Sequence, residues 1–334
     1  MSVTLKTIAE YTGLSVTTVS RALKDGDDVK QPTIDLVKAA AKKLGYAPNL
    51  QGLSLKTGIN YNLVAILPMV KSGDILGDVG TLPLISGLTA GIAGTPYNLS
   101  VVPLLADQDP LDPVKYVVER RIAGGIIFNA TKTRDERVTY LQEKKFPFIT
   151  FGQTELSTPH AFADIDNYDL GYRGATYLYS HGCKNIVMTA SSVDYTYTNH
   201  KYFGVKRASM EYGIDFDREK QTIYDYQISS NYRKYFFELF KKDKHPDGVF
   251  CGSEISSLGC LAALNDLGIK VNQDVFVINI ETCDLPSFYL PPIPGLRQNF
   301  HSIGTVLSKY LVKLIEGEDP KKLQYIEKAT FYAR

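Results

Sequence analysis

The chain has 334 residues but few of the side chains that many enzyme chemistries need. It has four cysteines, Cys183, Cys251, Cys260 and Cys283, and no two form a C-x-x-C pair. The apolar settings "GVFCG" and "LGCLAAL" read as buried thiols kept reduced. His160, His181, His200, His245 and His301 show no metal-ligand spacing, so no metal is expected. His181 and Cys183, in "SHGCK", could be drawn as a nucleophilic pair; a helix end, where imidazolium suits the dipole, is the better reading. No run of about 18 apolar residues occurs, and the N-terminus carries no apolar signal core. The expectation is a cytoplasmic protein with no membrane contact. "GLTAGIAG" places Gly87, Gly91 and Gly94 on a helix rather than in a phosphate loop after a strand. Close helix packing explains it better than a dinucleotide site, and no cofactor is expected. No heptad tail supports a tetramer bundle.

What remains is ordinary globular composition, 44% apolar and 22% charged, in a chain long enough for two or three units. The net charge of +1 hides an uneven distribution. Residues 1–60 hold eight Lys or Arg against five Asp or Glu. A mildly basic head on a neutral body fits nucleic-acid binding without proving it.

The head reads as helices. In "LKTIAEYTGLSVTTVSRAL", Thr4 can cap a helix whose buried side is Leu5, Ile8, Ala9 and Thr12, and Gly13 ends it. Ser15 can cap a second helix, Val16 to Lys24, with Val19 and Leu23 inward. A third runs from about Pro32 to Leu44, with Gly45 as its left-handed stop. Two helices joined through a short glycine-containing turn form a helix-turn-helix. Its second helix enters the major groove, so Val16, Thr17 and Thr18 would meet base edges. Ser20, Arg21 and Lys24 would lie nearer the phosphates. On spacing alone a plain three-helix bundle with a polar face explains the same pattern. The next stretch, "NLQGLSLKTGINYN", holds only about two helical turns, marginal in water unless something braces it.

From Asn62 onward short apolar strands alternate with helices, from "NLVAIL" and "PLISGLTAGIAG" to "ISSLGCLAALNDLG" and "VFVINI". That alternation implies parallel sheets covered on both faces, and the break near "FADIDNYDLG" suggests two similar lobes. Ligands in such folds sit at strand C-terminal ends. That rule selects Asn129, Asp164, Asp166, Tyr226, Ser253, Glu254 and Glu281.

With these segments in order, the chain resembles the lactose-repressor/galactose-repressor (LacI/GalR) family over essentially its whole length. The match is carried by "TLKTIAEYTGLSVTTVSRAL", "VKAAAKKLGYAPN", "RRIAGGIIFN", "DIDNYDLGYRGATYLYSHGCKNIVM", "GVFCGSEISSLGCLAALNDLGIKVNQDVFVIN" and "GLRQNFHSIG". The resemblance implies an α/β protein with a three-helix helix-turn-helix head and a two-lobed body like periplasmic binding proteins. It implies a head at 1–48, a hinge helix and linker at 49–61, and an effector-binding body at 62–334. Lobe 1 would comprise 62–162 and 295–318, and lobe 2 163–292 and 319–334. The late helix "SIGTVLSKYLVKLIEG" would return to lobe 1.

Carried over by motif, DNA contacts fall on Lys6, Ser15, Val16, Thr17, Thr18, Ser20, Arg21, Lys24, Asn49 and Leu55, with Leu55 as a minor-groove wedge. Leu53 stands where the family's hinge is usually basic, and Gly52 where alanine is common. Sugar contacts fall on Asn129, Asp166, Lys201, Ser253, Glu281 and Gln298, with Tyr226 and Phe300 as stacking faces. Lys201 replaces a usual Arg, Ser253 an Asn and Glu281 an Asp, so the effector should differ from that of the best-known relatives. Tyr168, Tyr195, Tyr197 and Tyr202 fall near the same rim, as further stacking faces or as packing. The expected protein is a homodimeric repressor of carbohydrate-utilisation genes that binds operator DNA under control of a sugar effector. It is not expected to be an enzyme. The rivals are a cytosolic sugar-binding protein and a sugar hydrolase using Asp166 and Glu281.

Overall fold

Three short helices build the head: α1 (Leu5–Thr12), α2 (Val16–Ala22) and α3 (Gln31–Leu44). The computed structural model describes residues 3–47, 54, 58–68, 79–105, 107–225 and 231–334. Thr4 Oγ1 accepts from the Thr7 amide at 3.3 Å, and Ser15 Oγ from the Thr18 amide at 3.1 Å. Both bonds satisfy helix-start amides that otherwise have no partner. Gly13 and Gly45 end α1 and α3 with φ of +71° and +69°, a region that costs side-chain-bearing residues energy. The helix expected to reach Lys24 stops at Ala22, where the Arg21 carbonyl takes the Lys24 and Gly26 amides in a tight turn. Ile8, Val19, Ala22 and Val37 are fully buried between the three helices.

The chain separates into two units, Met1–Asn60 and Tyr61–Arg334. The second carries twelve strands among the described residues: β1 (Asn62–Pro68), β2 (Asn98–Leu104), β3 (Gly125–Phe128), β4 (Phe148–Phe151), β5 (Phe162–Ile165), β6 (Ile186–Ala190), β7 (Thr222–Tyr224), β8 (Gly248–Cys251), β9 (Phe276–Glu281), β10 (Gly295–Arg297), β11 (Gln324–Glu327) and β12 (Thr330–Tyr332). Its helices are α4 (Thr81–Gly91), α5 (Leu111–Glu119), α6 (Glu136–Glu143), α7 (Asn167–Ser180), α8 (Thr196–Glu211), α9 (Arg218–Gln221), α10 (Tyr232–Phe240), α11 (Glu254–Asp266) and α12 (Phe300–Ile315). The strands form two six-stranded sheets, β11-β5-β4-β3-β1-β2 and β12-β10-β9-β8-β6-β7. All pairings are parallel except β10 with β12.

Both faces of each sheet are covered, as parallel sheets require. Along β1, Leu63, Ala65 and Leu67 pack with Leu84, Leu88, Ile303 and Leu307 of α4 and α12. Val64 and Ile66 turn to the opposite face, against Val114, Val117, Val138 and Leu141 of α5 and α6. This period of two is why the strand reads as one apolar run. The second sheet repeats the arrangement, with α7 and α8 on one face and α10 and α11 on the other. The glycines of "GLTAGIAG" serve helix packing as expected: a Cβ on Gly87 would lie 2.1 Å from the His301 carbonyl oxygen of α12. The motif's last glycine, Gly94, lies past the helix end with φ +78°.

The lobes divide differently from the expected boundaries. Helix α12 does pack on lobe 1, but the strand before it, β10, pairs with β9 in the second sheet. Strand β11, expected in lobe 2, pairs with β5 in the first. The chain therefore crosses between β5 and β6, between β10 and β11, and between β11 and β12. These strands escape the sequence pattern because β10 has three residues and the residues of β11 alternate between exposed and half-buried. Neither shows the continuous apolar run of a central parallel strand.

Candidate functional site

The C-terminal ends of the two sheets face a cleft of about 290 Å³. Its first wall is Asn129 after β3, Phe151 and Gly152 after β4, and Asp164 on β5. Its second is Ser191 after β6, Tyr197 and Lys201 on α8, Ser253 and Glu254 after β8, and Thr282 after β9. Gln298 and Phe300 close it at the start of α12.

Lys201 is the cleft's most unusual group. It is 8% exposed, and its Nζ lies 4.8 Å from the centroid of the Tyr197 ring. Its ammonium makes no hydrogen bond to a described residue. Burial pulls its pKa down to about 8, against the charges of Asp225 and Asp164, which favour the ammonium. The backbone enforces this placement, because α7 crosses α8 so closely that a Cβ on Gly171 would lie 2.0 Å from the Lys201 carbonyl oxygen.

Asp164 is also buried. Its carboxylate accepts from the Ile165 amide (2.8 Å), Asn167 Nδ2 (3.2 Å), and the amide and Nε2 of Gln153 (3.3 and 3.2 Å). Burial nonetheless outweighs these bonds and pushes its pKa up to about 6. Glu254, likewise buried, is spoken for: its Oε1 accepts the Thr282 amide at 2.5 Å, the Thr282 hydroxyl at 2.9 Å and the Cys283 amide at 3.3 Å. Asn129 Oδ1 is buried with no partner among the described residues. Phe151 and Phe300 meet edge-to-face, 4.9 Å between centroids at 85°.

Five of the expected effector contacts, Asn129, Lys201, Ser253, Gln298 and Phe300, come together here. Ser253 also caps α11, its Oγ accepting the Ser256 amide at 3.3 Å. Tyr226 lies outside the described residues. Two expectations need correction. Asp166 does not line the cleft; its Oδ1 caps α7 by accepting the Asp169 amide at 2.9 Å. Glu281 does not line it either. It is fully buried and paired with Arg297 Nε and Arg334 Nη1, each at 2.9 Å. Its neighbour Ile280 does face the cleft, and successive strand side chains leave on opposite faces. The carboxylate pair of the hydrolase reading is therefore not in the cleft. Asp164 takes the strand-end position instead, two residues before Asp166, so the strand-end rule found what the carry-over by motif missed. Of the rim tyrosines only Tyr197 lines the cleft; Tyr195 stacks on it, 5.3 Å between centroids, and Tyr202 stacks under Arg218. The Cys183 thiol is buried, its pKa pushed up to about 12, and His181 Nδ1 donates to the Tyr177 carbonyl at 2.8 Å, as a helix end would have it.

On the head, Ser15, Val16, Thr17, Arg21 and Lys24 are exposed, while Thr18 and Ser20 are half-buried. Ser15 Oγ and Thr18 Oγ1 share a hydrogen bond of 2.8 Å. Arg21 pairs with Asp28, and Lys6 sits 4.0 Å from Glu10. Asn49 and Leu55 lie outside the described residues. No helix among the described residues is long and apolar enough to cross a membrane.

Residues 4–49 match the family pattern described as bacterial regulatory proteins, lacI family, and residues 175–334 match a periplasmic binding protein-like domain. The chain is 26% identical to the HTH-type transcriptional regulator RegA of Clostridium saccharobutylicum, covering 98% of this chain and 96% of that protein. It is 26% identical to the HTH-type transcriptional repressor CytR of Escherichia coli K12, over 94% and 90% of the two chains. Among solved structures, the lac repressor dimer bound to operator and the anti-inducer ONPF superimposes with a TM-score of 0.79 at 18% identity, over 100% of this chain and 98% of that one. The regulator CelR in complex with cellobiose gives 0.72 at 21%, over 99% of both.

Proposed function

The chain belongs to the LacI family of bacterial regulatory proteins and is a transcription regulator; from that premise we propose that it is a cytoplasmic, homodimeric repressor whose cleft binds a neutral carbohydrate. The head, 1–48, reads the operator through Val16, Thr17 and Thr18, and the body, 62–334, senses the ligand. Segment 49–61 is the hinge between them, and Asn49 and Leu55 engage the minor groove when DNA and a second copy brace the helix.

One observation supports the ligand class above the others. The cleft holds a donor on a largely buried residue, Lys201 Nζ, and a fully buried acceptor, Asn129 Oδ1, that has no partner among the described residues. An unpaired buried polar group is costly, so an occupant should satisfy Asn129 Oδ1, and the ammonium is placed to bond the same occupant. Hydroxyls donate and accept, so one polyol can serve both. An anion without hydroxyls serves the lysine and leaves Asn129 Oδ1 unmatched. The Phe151–Phe300 pair supplies an apolar face for sugar C–H groups.

The test is a thermal-shift screen of neutral sugars, sugar acids and sugar phosphates on the full chain. A neutral sugar should stabilise the wild type and not Asn129→Ala, and the same sugar should change operator affinity. Stabilisation by sugar phosphates alone would overturn the ligand class.

A further inference from the structure

The loop leaving β3, residues 129–133, joins the two walls of the cleft and is held by a buried ion pair. Arg137 Nε and Nη2 reach the two oxygens of Asp135 at 2.9 and 2.6 Å, and both side chains are buried. The same Nη2 donates to the Asn129 and Ala130 carbonyls at 3.2 and 2.9 Å. The guanidinium lies 4.3 Å from the centroid of the Phe128 ring. Asp135 completes the frame by accepting the Lys132 and Arg137 amides, both at 3.0 Å. Burial alone would raise the Asp135 carboxyl, but these donors and the Arg137 charge together hold it below the usual carboxylate range. Within the frame, Ala130 has φ +52°, a left-handed conformation that a residue with a Cβ keeps only when its surroundings impose it.

What the frame fixes is a seam. The Thr131 carbonyl accepts the Thr196 amide at 3.1 Å, and the Thr133 amide donates to the Asp194 carbonyl at 3.2 Å. Lys132 and Tyr195 form an isolated antiparallel bridge. These bonds tie the first lobe to the first turn of α8, the helix that carries Tyr197 and Lys201. Asn129 stands at the other end of the same loop.

We infer that Arg137, locked by Asp135, is a positioning residue for the cleft: it holds the 129–133 loop in the one backbone form that both presents Asn129 and bonds the two lobes together along 194–196. Its consequence for ligand binding rests on the reading of the cleft as an effector site.

Hydrogen exchange of the full chain without ligand tests it. Arg137→Met should raise exchange at 131–133 and 194–198 at least tenfold, with β6 and α7 unchanged. Arg137→Lys should recover part of that protection. Thr196→Pro removes the cross-lobe donor at the first helical position, which suits proline, and Tyr195 before it is already extended (φ −82°, ψ 132°). That variant should loosen 194–198 and the Thr133 amide while the Lys132 amide, bonded to Asp135, stays protected. Unchanged exchange in Arg137→Met overturns the inference, and so does a uniform rise across the first sheet, which would mark Arg137 as general ballast. If Arg137→Met does not fold, wild-type protection of both segments in Arg137→Lys overturns it, as does loss of the Lys132 amide's protection in Thr196→Pro. No ligand enters the measurement. The reading of the cleft fails separately, if no carbohydrate stabilises the wild-type chain.

Discussion

Glu281 and Arg334 form a bidentate ion pair, Nη1 to Oε2 and Nη2 to Oε1 both at 2.9 Å, with the glutamate fully buried. The pair ties Arg334 to β9 and holds the Glu281 carboxylate away from the cleft lining. Arg334→Ala should leave the buried carboxylate with Arg297 alone. A loss of about 2–3 kcal/mol in urea unfolding is expected, somewhat less than for a buried charge left with no partner. Ligand-induced thermal shifts should persist. A variant as stable as the wild type would mean that Arg297 suffices.

Asp166 and Asn129 should separate cleanly. Asp166→Ala removes a helix cap and should cost about 1 kcal/mol of stability, while the response of operator binding to sugar survives. Asn129→Ala should do the reverse, losing the response with little change in stability. Fluorescence anisotropy on operator DNA, with and without sugar, reads both. Loss of response in Asp166→Ala would return that residue to the site.

Lys201 sets a pH dependence. Its folded pKa of about 8 lies below its ordinary 10.5, so the unfolded chain holds this proton more tightly. Stability should therefore rise as pH climbs from about 8 to 10.5, where the folded state has already released the proton. Replacing the buried ammonium by methionine should abolish that rise and stabilise the protein at pH 7, by about 3 kcal/mol at most. Sugar binding that depends on the ammonium as donor should weaken above pH 8. A flat stability profile over that range in the wild type would contradict the placement.

Arg21 is exposed but paired with Asp28 across a turn. Arg21→Ala should weaken operator binding and lower the slope of log affinity against log salt by about 0.9, the loss of one phosphate contact. Asp28→Asn should tighten binding by releasing the arginine from its competitor. Titrations at several salt concentrations measure both, and an unchanged slope in Arg21→Ala would place it away from the backbone.

Thr17 is exposed in the first turn of α2. Thr17→Ala should change which operators are selected from random duplex DNA. An identical selection would show that it meets no base.

The head was legible almost residue by residue. Its caps, glycine stops and apolar stripe are local, and local chemistry decides where a short helix begins and ends. The alternating body was legible for a similar reason: parallel strands buried on both faces write their burial into continuous apolar runs. The three strands at the C-terminal end of the body were not, because short or edge strands carry no such run. The cleft was half legible. The strand-end rule reached Asn129, Asp164, Ser253 and Glu254, and the family pattern reached Lys201, Gln298 and Phe300. That neither of the two expected carboxylates, Asp166 and Glu281, faces the cleft turned on facts no spacing contains. Asp166 begins a helix and bends back to its amides, while Glu281 leaves β9 on the face opposite Ile280 and meets two arginines distant in sequence. By itself the order of residues determined the elements, their caps and the two-part organisation, since these depend on neighbours along the chain. Only the tertiary structure decided which polar groups are left unpaired in the cleft and how Arg137 joins its walls, because those depend on which distant side chains the packing brings within hydrogen-bonding reach.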